Sequence, residues 1–191
     1  GCSCRYSRGK PIQPEPAGKD GRCYLFVSGL ARFDNEAVIG SLRELLKKNN
    51  VSLPLRLRMH SHAELGRGLR RWVNHSRKSG AIEVSGNVSL RSDIAGAVSV
   101  VGMSSTVLEE ALLIGRPVIK LKHPDYISYI DLEGMSGVMH VAYDELTDEL
   151  LRSFNDPVKQ DEAKERFGLS HPTVDYKKLF CDNVKEVIQG G

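Results

Sequence analysis

Residues 98–121 constrain the fold of this chain more than any other segment, because they combine a strand, a turn, a helix and a second strand. A run of β-branched residues breaks at Gly102, and the hydroxyl-rich stretch 104–106 then precedes an apolar helical pattern. Gly115 and Pro117 end that pattern before the next apolar run begins. The segment therefore predicts a βαβ unit, in which a helix joins two parallel strands.

The start of the predicted helix has the chemistry of an anion site. Its first N–H groups have no partner within the helix, and the helix dipole favours negative charge there. Ser104, Ser105 and Thr106 add hydroxyl groups at the same place. These residues, together with Gly102 at the end of the strand, predict a site for a bound phosphate.

Two acidic residues in this helix have different explanations. Thr106 and Glu109 have the spacing of a capping box, which would account for the helix start without any ligand. Glu110 has no such local role, because it lies opposite the helix face that carries Leu108 and Ala111. We expect Glu110 either to reach solvent from the helix end or to accept hydrogen bonds from ligand hydroxyls.

The rest of the chain alternates strand-like and helix-like segments. Further strands are predicted at 23–28, 53–59, 81–84 and 137–142, and helices or helical turns at 34–48, 63–79, 89–96, 144–154, 158–167 and 176–188. This rhythm predicts an α/β fold, with a Rossmann-like parallel sheet and helices on both of its faces.

Length and composition are those of one domain with a flexible start. Residues 1–22 carry five Lys or Arg, two acids and many Gly and Pro, which predicts a linker or tail before a domain at 23–190. No apolar run approaches the roughly 20 residues that span a bilayer, and no signal peptide is recognisable. The four cysteines lack the paired spacing of a metal site. We therefore expect a reduced, cytoplasmic chain without a metal or other cofactor.

Two further candidates follow predicted strands, where open α/β sheets bind ligands. Ser28 follows the first strand and His60 the second, so both are predicted to face the same cleft as the stretch 104–106. For Ser28 the alternative is an ordinary strand-to-helix connection, and for His60 an exposed loop histidine. His62 is close to His60, but neighbouring Cys or acidic ligands for a metal are lacking.

Residues 56–78 contain seven Lys or Arg and one acid. Arg67, Arg70 and Arg71 recur at helical spacing, which is typical of a solvated helix face. The alternative is contact with an anionic glycan, a second domain or a membrane surface, the last of which would make the chain peripherally membrane-associated. Nucleic acid is not predicted as a partner, because Trp72 is the single aromatic residue nearby and no stacking motif is present.

The motifs Ser-Ser-Thr at 104–106, Glu-Glu-Ala at 109–111 and Gly-Arg-Pro at 115–117 carry a family resemblance. The pattern resembles the donor-nucleotide half of GT-B glycosyltransferases, especially enzymes of bacterial capsule and surface-polysaccharide biosynthesis. UDP-N-acetylglucosamine 2-epimerases share a similar layout. The resemblance implies that Ser104 and Ser105 hold the nucleotide phosphates and that Glu110 holds the ribose.

The same resemblance implies a catalytic role for His60, which would bond phosphate or stabilise the leaving nucleotide as charge develops on it. Related transferases have a His-Pro pair at this place, whereas Ser61 stands in place of the proline here, so the backbone restraint of proline is missing.

The resemblance implies the donor-binding half of a glycosyltransferase, one half of a GT-B architecture, with a CMP- or UDP-type nucleotide sugar as its donor. A preceding acceptor-binding domain in a longer chain would complete the enzyme, so we expect the isolated domain to be inactive. One alternative is a non-catalytic Rossmann-like domain that binds a nucleotide or a partner. The other is an epimerase-like enzyme, from whose pattern the His-Pro-Asp-Tyr sequence at 123–126 departs.

Overall fold

A computed structural model of the chain describes residues 23–48, 54–86, 88–126, 128 and 130–168. The predicted linker or tail at 1–22 and the predicted helix at 176–188 lie outside the described residues. No helix in the described ranges is long and apolar enough to cross a membrane.

The described residues form six strands and six helices that alternate along most of the chain. In chain order they are β1 (Cys23–Val27), α1 (Arg32–Lys48), β2 (Leu55–Arg58), α2 (Arg67–Lys78), β3 (Glu83–Ser85), α3 (Leu90–Ala95), β4 (Ala97–Gly102), α4 (Val107–Leu113), β5 (Val118–Lys122), β6 (Val138–Ala142), α5 (Asp148–Ser153) and α6 (Gln160–Arg166).

The strands form one sheet in the order β3-β2-β1-β4-β5-β6, and every neighbouring pair is parallel. The first strand, β1, lies inside the sheet; β2 and β3 are added on one side of it, and β4, β5 and β6 on the other. The direction of winding therefore reverses between β1 and β4. The predicted α/β fold with a Rossmann-like parallel sheet is confirmed.

Successive side chains of β1 enter two separate cores. Tyr24 and Phe26 pack with residues of α1, α2 and α5 on one face of the sheet, and Leu25 and Val27 pack with residues of α3, α4 and α6 on the other. All five residues of β1 are buried as a result. A strand that is covered on both faces is mostly apolar, which is why β1 reads as a continuous apolar run in the sequence.

Two helices begin later than the sequence pattern predicts. The chain before α2 forms a turn, in which the Ala63 N–H donates to the His60 carbonyl over 2.9 Å, so α2 begins at Arg67 rather than at 63. The helix α5 begins after Thr147, whose side chain accepts a hydrogen bond from the Leu150 N–H over 3.2 Å. The turn at 60–63 thus precedes α2 and the cap at Thr147 fixes the start of α5, and periodicity reveals neither.

Gly102 ends β4 where the backbone passes close to β1 and α4. A Cβ atom at this position would lie 2.8 Å from Val27 Cγ2 and 3.1 Å from Leu108 Cδ2. Both neighbours are fully buried, so neither can move aside freely. The missing side chain of Gly102 is thus required by packing.

We expect Gly102→Ala to lower the free energy of unfolding by about 1–3 kcal/mol, because the added methyl group overpacks this contact. Gly40 in α1 is the matched control, because a Cβ there meets nothing within 4 Å. Gly40→Ala should raise the free energy of unfolding by about 0.5–1 kcal/mol, since alanine favours a helix interior. Urea unfolding of both variants measures the two changes, and the same sign in both would contradict the close approach at Gly102.

Candidate functional site

A cleft of about 600 Å³ opens beyond the carboxyl ends of the first four strands, at the place where the winding direction reverses. Its size is within the range of small-molecule sites, and its position is the one at which open α/β sheets bind ligands. The lining residues are Val27, Ser28, Arg58, Met59, His60, Ser61, Ser85, Gly86, Leu90, Ser105, Thr106, Val107 and Glu110.

Five of the predicted site residues line this cleft, namely Ser28, His60, Ser105, Thr106 and Glu110. They come from the ends of three different strands and from the first turns of α4. The parallel order of the sheet brings these strand ends to one edge, although the residues are far apart in the sequence.

The other two predicted site residues are not among the described residues that line the cleft. Gly102 and Ser104 are both buried, and the Ser104 N–H is directed at a protein carboxylate instead of open space. Their binding roles stay predictions from the sequence.

Ser28 connects the ends of β1 and β2. Its N–H donates to the Arg58 carbonyl over 3.0 Å, and its hydroxyl oxygen accepts from the His60 N–H over 3.2 Å. The His60 ring is held in turn by its Nδ1, which accepts from the His62 N–H over 3.2 Å. Because Nδ1 is an acceptor here, the neutral ring carries its proton on Nε2, and that N–H is the donor that His60 can offer to a ligand.

The capping box predicted at the start of α4 is wrong. Thr106 has helical backbone angles, with φ −57° and ψ −14°, and its side chain makes no capping hydrogen bond. A capping side chain needs an extended backbone in order to reach the N–H groups of the first turn. Ser105 does so in its place, since its Oγ accepts from the Val107 N–H over 3.4 Å.

The two neighbouring glutamates of α4 lie in different surroundings. Glu110 lines the cleft, whereas Glu109 does not belong to its lining among the described residues. Burial raises the pKa of Glu109, and the nearby charge of Glu110 raises it further. Without a capping box, Glu109 loses the stabilising role that its spacing predicts.

Asp34, which the sequence analysis does not single out, lies under the cleft at the point where β1 and β4 separate. It is 2% exposed, and its Oδ1 accepts a hydrogen bond from the Ser104 N–H over 3.2 Å. Its Oδ2 lies so close to Gly29 that a Cβ on that residue would be only 1.8 Å away. Asp34 therefore ties the loop after β1 to the turn after β4. The signal available in the sequence is an acid in the first turn of a helix whose buried positions are mostly apolar.

Burial has a large effect on this carboxyl group. It raises the pKa of Asp34 from 3.8 to about 6, although the N–H groups of Ser104 and Gly29 lower the pKa in part. The charged form is disfavoured because it loses hydration that two N–H groups replace incompletely.

A second buried carboxylate, Asp93, holds the cationic wall of the cleft. It is fully buried, and it accepts hydrogen bonds from Arg58 Nη1, from Arg56 Nη1 over 3.2 Å and from the Ser85 hydroxyl over 2.5 Å. Arg58 also donates to the Val88 carbonyl over 3.0 Å. These bonds fix the guanidinium of Arg58 beside the cleft, where it can donate to an anionic ligand.

Neither Arg58 nor Asp93 is predicted from the sequence as a site residue. Arg58 has the alternating spacing of an ordinary strand residue, and Asp93 is one acid in a short helical turn. Their connection becomes visible only when β2 and α3 are packed together. Within the described ranges, no group of three His, Cys, Asp or Glu side chains could hold a metal ion.

Comparison with known proteins shows that the chain is similar in fold to solved structures. No family model matches the chain, and no curated protein matches it by sequence. Among solved structures, the glycosyltransferase SnogD from Streptomyces nogalater is similar with a TM-score of 0.50 and 17% sequence identity, over 84% of this chain and 41% of the SnogD chain. TarM is similar with a TM-score of 0.46 and 11% identity, over 80% of this chain and 30% of its own.

The likeness to SnogD shows that the two proteins share a fold. This chain spans less than half of the length of the SnogD chain. An α/β unit with the sheet described above is thus the part that the two proteins have in common.

Asp34→Asn should change how the stability of the domain depends on pH. Because folding raises the pKa of Asp34 from 3.8 to about 6, the stability that the protonated carboxyl contributes is fully present below pH 3.8 and is lost as the pH rises through about 6. The lost contribution is at most about 3 kcal/mol, at 1.36 kcal/mol per pKa unit. The free energy of unfolding of the native chain, relative to that of Asp34→Asn, should therefore fall by up to about 3 kcal/mol as the pH rises from 3.8 to above 6.

Asp161→Asn is the control for this experiment. Lys164 lowers the pKa of the exposed Asp161 carboxyl, so its contribution runs the opposite way and is lost as the pH falls. Denaturant unfolding at a series of pH values measures both slopes. A difference between Asp34→Asn and the native chain that does not vary with pH would contradict the burial of an ionisable Asp34.

Proposed function

We propose that this chain is the nucleotide-sugar-binding half of a glycosyltransferase of surface-polysaccharide biosynthesis. The observation that carries the proposal is the cleft at the reversal point of the sheet, with a fixed arginine, a histidine, several hydroxyls and one carboxylate on its walls. These groups suit a phosphate, which accepts hydrogen bonds from the arginine, histidine and hydroxyls, and a ribose, whose hydroxyls donate to the carboxylate. The fold shared with SnogD, which is described as a glycosyltransferase, supports the proposal.

The donor in this proposal is a CMP- or UDP-type nucleotide sugar, with its phosphate between β2 and α4. Arg58 and the hydroxyls of Ser105 and Thr106 donate to the phosphate oxygens. Glu110, in the first turn of α4, accepts hydrogen bonds from the ribose hydroxyls. In this arrangement, Arg58 and the hydroxyls bind the anionic phosphate, and the Glu110 carboxylate binds the neutral ribose.

The reaction breaks the bond between the anomeric carbon of the sugar and the phosphate oxygen, which keeps the electron pair. Arg58 and the Nε2–H of His60 stabilise the negative charge that develops on the leaving nucleotide. The acceptor hydroxyl forms the new bond to the anomeric carbon and gives its proton to a base. Glu110 is the one carboxylate among the described lining residues, and it serves the ribose, so we assign the base to a preceding acceptor-binding domain of a longer chain.

We expect CMP, CDP, UMP or UDP at millimolar concentration to shift the backbone amide resonances of residues 102–110 in an NMR titration. Glu110→Ala should weaken the binding of the nucleotide by about tenfold or more, because a hydrogen bond to a charged group is lost. The matched control is Glu109→Ala, which removes the neighbouring acid that does not line the cleft. Equal effects of the two substitutions, or no shifts at all, would contradict the proposed site.

A non-catalytic domain that binds a nucleotide or a partner is the second candidate. It is favoured by the single carboxylate of the described lining and by Ser61, where related transferases carry proline. Nucleotide release from the donor, measured with and without acceptors on a longer parent chain, separates the two functions. Acceptor-dependent release supports the transferase, whereas nucleotide binding without release supports the non-catalytic domain.

A further inference from the structure

A strip of cations covers the exposed face of α2. Its charged members are Arg67, Arg70, Arg71 and Lys78, and His75 lies among them. These residues recur at intervals of three or four positions, so they lie on one side of the helix, and all of them are exposed. The helix contains no acidic residue.

The charge of this α2 strip is not balanced by neighbours. None of its cations forms an ion pair with a described carboxylate, whereas exposed cations of three other helices do. Arg32 pairs with Glu36 in α1, Arg152 with Asp148 in α5 and Lys164 with Asp161 in α6, each within 2.7 Å. The α2 strip therefore produces a positive electrostatic potential at the surface, which attracts an anionic partner.

The opposite side of α2 anchors the helix on the sheet. Val73 is buried in the core, and Leu69 and Trp72 pack against the same cluster. The 12 residues of α2 span about 18 Å at 1.5 Å per residue. The cations are thus held on a helix that is firmly packed on the sheet.

Two partly exposed apolar side chains, Leu30 and Phe33, lie near the N-terminal end of α2. Leu30, just before α1, is 57% exposed, and Phe33 in the first turn of α1 is 36% exposed. The covered part of the Phe33 ring packs against His123 and Tyr126, with ring centroids 4.5 and 5.5 Å away. The start of α1 adjoins the segment that leads into α2, because the Glu64 N–H donates to the Leu30 carbonyl over 3.4 Å and Asn35 Nδ2 donates to the Glu64 carbonyl over 3.2 Å. Leu30 and Phe33 therefore lie on a segment that adjoins the start of α2, and the exposed Glu64 lies between them and the α2 strip.

We infer that this surface, formed by the α2 strip with Leu30 and Phe33, binds the anionic face of a lipid bilayer. Lipid phosphates attract the cations, and Leu30 and Phe33 bury apolar area at the boundary of the acyl chains. An acidic glycan or a nucleic acid would engage the cations alone and would leave the exposed Leu30 without a contact. Trp72 packs inward and offers no stacking platform for bases. This inference does not depend on the nucleotide site.

Flotation of the 191-residue chain with lipid vesicles tests the inference. We expect the chain to bind vesicles that contain phosphatidylglycerol, to bind much less to pure phosphatidylcholine, and to dissociate as salt is added. Substituting Arg67, Arg70 and Arg71 together by Gln should lower the partition coefficient about a hundredfold, at about fivefold per cation. Leu30→Ser should also weaken binding, without changing the dependence on salt.

The matched control replaces Arg43, Lys47 and Lys48 of α1 by Gln, which removes the same charge from another exposed place. Retained binding in this variant supports the α2 strip. Equal loss in both triple variants, or no loss in either, would overturn the inference, because the cations would then act non-specifically or the binding segment would lie elsewhere in the chain. Two results together would overturn the assignment to lipid. One is that Leu30→Ser binds vesicles as well as the native chain, and the other is that heparin or single-stranded RNA displaces the native chain fully from the vesicles. Circular dichroism checks that each variant is folded.

Discussion

The structure depends on β1, which pairs with β2 on one side and β4 on the other and is buried on both faces. Because the chain leaves β1 toward one edge of the sheet and returns at β4 toward the other, the loops that follow these strands diverge and leave a cleft. The Asp34 carboxyl joins the two loops below that cleft through the Ser104 N–H. Burial makes this bond costly for the charged carboxyl, as the raised pKa of Asp34 shows, so the junction combines a specific hydrogen bond with a desolvation penalty.

Two groups of cationic side chains lie in very different surroundings in this fold. Arg56 and Arg58 of β2 share the buried Asp93, which orients their guanidinium groups and offsets much of their charge. The cations of the α2 strip have no described carboxylate partner and project into solvent. The first arrangement favours precise donation to a ligand at short range, whereas the second produces attraction at long range that salt screens. The proposed nucleotide site and the proposed lipid surface therefore rest on separate physical features.

The type and order of the elements were predictable because most core positions are apolar at the spacing of their own element. The boundaries were less predictable. The late starts of α2 and α5 result from hydrogen bonds in the preceding turns, and the failed capping box at Thr106 results from a backbone angle that its spacing with Glu109 does not reveal. Of the candidate residues, those at strand ends were brought to one cleft because parallel strands end at the same edge of a sheet.

The sequence by itself determined the parallel α/β architecture, the strand ends at which a ligand cleft forms and the basic face of α2, since all three follow from periodicity and local composition. Tertiary structure alone decided that Gly102 serves packing, that Asp34 bonds to the Ser104 N–H and that Asp93 holds Arg58 at the cleft wall. Each of these depends on atoms from distant segments meeting within a few ångströms. Such contacts depend on the strand order and on the packing of helices on the sheet, and no local sequence pattern encodes either.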